Sequence, residues 1–396
     1  MPNALLVVPV AMGILTESMK VLTDSWWGCS LALVMSLVWV LNQGAVARQR
    51  SRWPPVPPLN GRLGVPPTVL ATTWHYLDPD GARQTPLVTE NAVYVPLRNG
   101  KVVALARRDG TRLWESAPGV ATTAKLYRLG NLLLACASGP VADGAFPSGI
   151  VRLLDMTTGV VRQEVSLPAP ITSQVVSDGR RLYVRLGTTE IAALDRQDFS
   201  RRWSVGGNFT EHLACAGGVV FVGTVTGALW ALRAEDGRCL WSSKLGAIPG
   251  PAAASEELVY CGTTGGEVIA LRRADGRCQW RRRTGAAVLA SPIVSQNQVL
   301  IASYDNFLYA FHPKTGELRW RQQMAGRLVS PPAWLTESTL VVAALDDREI
   351  TVVHAPDGRI VARWQLASER IFSALHVVQG MVIMATEQGV AAVQLL

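Results

Sequence analysis

The sequence predicts an all-β protein: an eight-bladed propeller of four-stranded blades, preceded by an N-terminal hydrophobic helix. Three observations carry the prediction. An eleven-residue stretch, clearest from Ala310 to Trp320 (Ala-Phe-His-Pro-Lys-Thr-Gly-Glu-Leu-Arg-Trp), recurs through most of the chain, with close copies ending at Trp114, Trp241 and Trp280. Weaker copies end at Gln163, Trp203 and Trp364, which sets a spacing of about forty residues, the length of a propeller blade. Finally, the two ends of the repeat region have complementary deficits. A lone strand around Trp74 has no blade of its own, while residues 371–396 supply three strands and stop.

Each repeat reads as a hairpin. An apolar strand arrives at Ala-Leu, an Asp-Gly or Thr-Gly turn reverses it through a glycine that accepts positive φ, and a returning strand ends in tryptophan. Trp74, Trp114, Trp203, Trp241, Trp280, Trp320 and Trp364 are therefore the expected anchors, each ring buried between neighbouring blades. Thr68 to Tyr76 is expected to complete the last blade from outside and so join the two ends of the chain. A seven-bladed ring is the alternative if the unit ending at Gln163 is not a full blade.

In chain order, residues 1–24 form an extension and residues 25–47 an uncharged run containing Trp26, Trp27 and Trp39. That run reads as a signal segment or a membrane anchor. Ala45-Val46-Ala47 fits a cleavage site, whereas Arg48, Arg50 and Arg52 favour retention, and Met19 offers a second start. Residues 48–67 are an arginine- and proline-rich spacer, and residues 68–396 the propeller. The expected location is the periplasm or the extracytoplasmic face of the inner membrane.

Within the propeller the sixth unit is the template, with strands expected at Val288 to Ser295, Val299 to Ser303, Phe307 to Phe311 and Glu317 to Gln322. Three units depart from it. The second carries about ten extra residues between Ser138 and Gly149, a candidate partner loop with Pro140, Asp143, Phe146 and Pro147 as its candidate contact residues; a tolerated insertion is the rival reading. In the third, Phe199 replaces the turn glycine, so its hairpin is expected to differ. The seventh has two extra residues between Gly358 and Trp364.

The six cysteines form no disulfide framework, and Cys239 and Cys278, at one repeat position, are expected to pack as small hydrophobes. A net charge of +8 spread over repeat turns, with one dense run at Arg281 to Arg283, is not a nucleic-acid footprint. The five histidines are dispersed, and His312 and His354 sit at one turn position. Asp346-Asp347 reads as a solvated turn.

The pattern Ala-x-Asp-x-x-Thr-Gly-x-x-x-Trp, in which aspartate appears at Asp155 and Asp195 and is replaced by His312, His354, Arg233, Arg272 or Ala106, resembles the pyrroloquinoline-quinone-type propeller repeat. That family holds quinoprotein dehydrogenases and non-enzymatic propellers, including the outer-membrane-protein assembly lipoprotein. The dehydrogenase branch implies a vicinal cysteine pair and a calcium site with a catalytic aspartate, and neither an adjacent cysteine pair nor a Cys-x-x-Cys-His haem motif occurs in the sequence. The resemblance thus implies a scaffold without cofactor, metal or catalytic residues. Its partners would be other envelope proteins, including the outer-membrane assembly machinery. A small-molecule-binding or sensory propeller is the alternative, and a quinone-dependent dehydrogenase a more distant one.

Overall fold

The structure, a computed structural model, describes residues 70–395 apart from 83, 118–121, 140–146, 345–346, 367–368 and 372. One compact unit spans Pro55–Leu396, and the segment 25–47 lies outside the described residues. Among the described residues no helix is long and apolar enough to cross a membrane.

Eight antiparallel four-stranded sheets form the described chain. Seven are built from consecutive strands, covering residues 87–116, 127–167, 176–206, 209–244, 249–283, 293–323 and 333–365. The unit ending at Gln163 is a full blade, which excludes the seven-bladed alternative. In the eighth sheet the order is Leu70–Leu77, Gly389–Leu395, Met381–Thr386, His376–Val378, so the amino-terminal strand is the outer strand of the carboxy-terminal blade. Neighbouring sheets approach most closely through their first strands, such as Phe209–Ala216 with Pro249–Ala254, which places those strands around the axis.

A single contact joins most adjacent blades. Trp74, Trp114, Trp203, Trp241, Trp280 and Trp320 lie with their six-membered rings on Gly110, Gly159, Gly237, Gly276, Gly316 and Gly358, the turn glycines of the next blade. Their indole Nε1 atoms donate to the carbonyls of Arg107, Met156, Ala234, Arg273, Pro313 and Ala355, each three residues before its glycine, at 2.6–3.0 Å. A side chain at the glycine would occupy the ring's place. Burying such a ring removes roughly 150–250 Å² from water, on the order of 4–6 kcal/mol at about 25 cal/mol per Å². In blades 1, 3 and 5 a tyrosine of the second strand shares the acceptor: the hydroxyls of Tyr94, Tyr183 and Tyr260 donate to the Met156, Ala234 and Pro313 carbonyls.

Two junctions break the rule, each for a local reason. Ala362 holds the seventh anchor position, opposite Val352, and the two extra residues carry Trp364 past it, opposite Ile350 and only half-buried. Blade 8 takes its outer strand from the amino end, so it has no third-to-fourth-strand turn on which a tryptophan could dock. At the junction of blades 2 and 3, Gln163 is exposed and Phe199 fills the space from the opposite side, buried among Leu153, Leu167, Val184 and Leu194. Phe199 adopts φ 60, and its hairpin keeps the bonds of the other copies (Asp195 N to Ser200 O, 2.8 Å; Phe199 N to Asp195 O, 3.1 Å), contrary to the expectation that it differs.

Gln163 and Phe199 therefore act as an exchanged pair. Gln163→Trp and Phe199→Gly are each expected to destabilise the protein, the first by a clash and the second by a cavity. The double variant should recover most of the loss, giving a coupling of about 1–3 kcal/mol in a denaturation cycle. Additive effects would contradict the exchange.

The first strand of blade 6 is shorter than expected, Ile293–Val294. Val288 spends its amide on Thr263 O of the preceding blade (3.0 Å), and Pro292 has no amide to give. Cys239 and Cys278 are exposed on outer strands, each Sγ directed at the carbonyl two residues on, and do not pack as core hydrophobes.

Candidate functional site

Strand direction alternates within a blade, so connections between the second and third strands emerge on one face, together with the links between blades. The expected partner loop belongs to that face. Its stem is paired to the end, Ser138 opposite Gly149, and is closed by Gly139 N to Ser148 O at 2.8 Å. Pro147 is half-buried at its base, while Pro140, Asp143 and Phe146 lie outside the described residues.

The same face opens onto the axis, and there the structure gathers residues that the repeat pattern does not single out. Strand register makes Thr85, Lys125, Gln174, His212, Pro251, Ser291, Pro331 and Ala374 equivalent, two residues ahead of Leu87, Tyr127, Val176, Ala214, Ala253, Ile293, Ala333 and His376. All sixteen are reached by solvent, whereas seven of the eight residues between them, such as Pro86, Leu126, Val175 and Leu375, are buried between blades, Ala252 being half-buried. The two solvent-reached rings border the lumen.

Polarity around these rings is one-sided. Blades 5, 6 and 7 contribute Pro251, Ala253, Ser291, Ile293, Pro331 and Ala333, and blades 2, 3, 4 and 8 contribute Lys125, Tyr127, Gln174, His212 and His376. Glu211 precedes His212, and Arg185 reaches over from the second strand of blade 3. Gln174 donates to Leu213 O at 2.8 Å, and Arg185 donates to Phe209 O at 2.8 Å, Thr172 Oγ1 at 3.0 Å and Thr172 O at 3.3 Å, which straps blade 3 to blade 4. Among the described residues Lys125 makes no ion pair.

Lys125 is open to solvent, yet loss of bulk water pushes its ammonium pKa down, partly offset by Glu211. Both facts hold for a charge in a narrow lumen. Desolvation lowers the pKa of His212, opposed by Glu211 and reinforced by Lys125 and Arg185; His376 is lowered by desolvation and by Lys125. Lys125 thus faces blades 4 and 8 at once. Because both imidazoles resist protonation in the fold, the unfolded chain takes up more protons below pH about 6.5. Stability from this pair is complete above that pH and is lost as pH falls toward and below the folded values. The midpoint of thermal unfolding should therefore fall between pH 7 and pH 5, and less steeply in the His212→Gln, His376→Gln double variant.

Chemistry elsewhere is absorbed by structure. His312 Nδ1 accepts from Lys314 N and Thr315 N, both at 3.2 Å, as Asp155 Oδ1 accepts from Thr157 N and Thr158 N in its own turn. His354 Nδ1 lies 2.8 Å from Asp357 Oδ1. Arg281 and Arg283 share Glu267 at 2.9 and 3.5 Å, and Arg282 donates to Gly316 O and Thr315 O, so all three guanidinium groups of the dense basic run are engaged in bonds of the fold. Asp347 Oδ1 accepts from Arg348 N and Glu349 N. His75 lies 2.9 Å from the buried Glu369, which also accepts from Thr386, and this contact ties the closing strand to its blade.

The fold and its repeated turn define the class: a pyrroloquinoline-quinone-type propeller of eight blades. The family model described as outer membrane protein assembly factor BamB matches residues 71–175, 147–248 and 240–395, and the chain belongs to that family. Among curated proteins none matches the sequence. Similar solved structures include the computationally designed Ika8 protein (15% identity, 82% of this chain and 99% of that one, TM-score 0.70). BamB from Moraxella catarrhalis is similar at 19% identity over 82% and 97% of the two chains, TM-score 0.66. The quinohemoprotein alcohol dehydrogenase from Comamonas testosteroni is similar at 12% identity over 82% and 76%, TM-score 0.64. At these identities the structural likeness speaks for the fold alone.

The residues present do not fit a quinone with calcium beside a cysteine pair. Among the described residues no three His, Cys, Asp or Glu side chains converge as a cation site. Cys136 and Cys261 are buried in separate blades, their thiols pushed up to about 12 by desolvation.

Proposed function

We propose that the protein is a non-enzymatic interaction scaffold of the cell envelope, held at or exported across the inner membrane by residues 25–47, and that it works with the machinery that assembles outer-membrane proteins. The observation that carries the reading is the extent of the family match, which spans the propeller from its closing strand to its last blade. The fixed contacts between blades support it: a rigid ring holds loops from eight sheets in constant relative positions, as a docking platform requires. Among those loops the insertion in blade 2 is the proposed partner contact, acting through Pro140, Asp143, Phe146 and Pro147.

A photo-crosslinking residue placed at position 147 in intact cells should capture an envelope protein, while the same residue at Lys314, on the opposite face, should not. Capture from position 314 alone would reverse the assignment of faces. Recovery of the protein wholly in the cytosolic fraction would remove the envelope role.

A further inference from the structure

We propose that the channel mouth on the insertion-bearing face is a binding site for a small organic oxyanion, a carboxylate or phosphate on a compact apolar body, held by Lys125, His212, His376 and Gln174. The site is independent of the scaffold role. Three features of the geometry carry it.

First, the charge is unbalanced inside a confined space. Lys125 and Arg185 face one acid, Glu211, and Lys125 makes no ion pair among the described residues. A cation kept in a lumen without a fixed partner raises the local concentration of anions, because the low-dielectric walls focus its field. Second, the donors come from different blades but from one ring position or its neighbour, and Lys125 acts electrostatically on both imidazoles, so all of them border the same mouth of the lumen. Lys125 offers an ammonium, while His212 and His376 each offer a ring nitrogen. Gln174 is fixed by its bond to Leu213 O, and Arg185 is committed to blade 4 through Phe209 O, so both stiffen the wall on which the ligand would rest. Third, the opposite wall carries no charge and is apolar apart from Ser291: Pro251, Ala253, Ile293, Pro331 and Ala333 make up the rest of it. A half-cationic, half-apolar cavity selects an amphipathic acid over a bare ion.

Among the described residues, the charged and titratable groups facing the site are Lys125 and Tyr127 from blade 2, Arg185 from blade 3, Glu211 and His212 from blade 4, and His376 from blade 8. Lowering the pH adds positive charge on the two imidazoles, whose protonation desolvation and Lys125 hold below the usual histidine range. Affinity for an anion of constant charge should therefore rise from pH 8 to pH 5.5.

Benzenesulfonate keeps its charge over that range and serves as the probe, titrated by calorimetry into the full chain. The expected result is one saturable site whose affinity increases as pH falls and drops at least tenfold in Lys125→Met, a variant that breaks no ion pair and should unfold at the wild-type temperature. Lys314→Met, an outer-face control, should bind as wild type. Absence of saturable binding would overturn the proposal, as would equal binding by Lys125→Met or an equal loss in Lys314→Met. Inorganic sulfate titrated in parallel should bind more weakly than benzenesulfonate; equal affinity would overturn the apolar half of the site.

Discussion

Trp320→Ala should lower stability by about 3–5 kcal/mol, the range for removing a buried large aromatic side chain, whereas Trp364→Ala should cost less than half as much. Trp320 is 4% exposed, lies on Gly358 and donates to Ala355 O at 3.0 Å, so its loss opens a cavity between blades 6 and 7 and removes one of the two donors to that carbonyl, the other being the Gln298 amide at 2.9 Å. Trp364 is half-buried against the core of blades 7 and 8 and docks on no turn glycine. Sequence gives both the same label. Guanidinium denaturation with unchanged slope separates them, and equal midpoint shifts would contradict the docking account.

Gly316→Ala is the second large effect, and Gly130→Ala is its control. Both glycines have φ 67, so both pay the left-handed penalty of about 1–2 kcal/mol. Only Gly316 has a ring beneath it: a Cβ there would sit 2.5 Å from Cδ2 of Trp280, while one on Gly130 meets nothing within 4 Å. The backbone of Gly316 is fixed by its own bond to His312 O (2.9 Å), so the indole must move, which adds about 1–3 kcal/mol of overpacking. The expected losses are about 2–5 kcal/mol for Gly316→Ala and about 1–2 kcal/mol for Gly130→Ala. Similar losses would mean that φ alone requires the glycine.

The parts of the fold legible in the sequence are those encoded by short-range chemistry repeated at a fixed period. The Asp-Gly and Thr-Gly turns and the strands that flank them lie within eleven residues of each other, so Phe307–Phe311 could be read to the residue. Ring closure was legible too, because one surplus strand and one missing strand leave a single economical solution. What the sequence hid depends on register. Ala362 stands four residues after Gly358, as Trp320 does after Gly316, and takes the anchor position; the two extra residues before Trp364 were visible in the sequence, but their effect on register was not. Cys239 and Leu240 both face solvent because the bulge after Ala231 interrupts strict alternation just before Trp241.

The channel cluster was hidden for a different reason. Its members come from four blades, and those on the lumen rings share nothing in sequence except equivalent register positions at the first strand of a blade. A usable signal was there: Thr85-Pro86 and Ser291-Pro292 mark that position in regular copies, and Lys125-Leu126 in blade 2 and His212-Leu213 in blade 4 break the pattern. Departures from a repeat at equivalent positions in several blades point to the axis, whereas a departure confined to one blade, such as the insertion after Ser138, points to a loop. Phe199 shows the same logic between neighbours, since its oddity and that of Gln163 explain each other only when blades 2 and 3 are set side by side.

The central claim is that this propeller acts by holding other envelope proteins. Its most direct test is purification of the tagged full-length protein from native membranes in mild detergent, followed by mass spectrometry of what remains bound. The account predicts stoichiometric outer-membrane assembly components, lost when the loop from Gly139 to Ser148 is shortened to a tight turn. A propeller that emerges alone from intact membranes, with or without that loop, would contradict it.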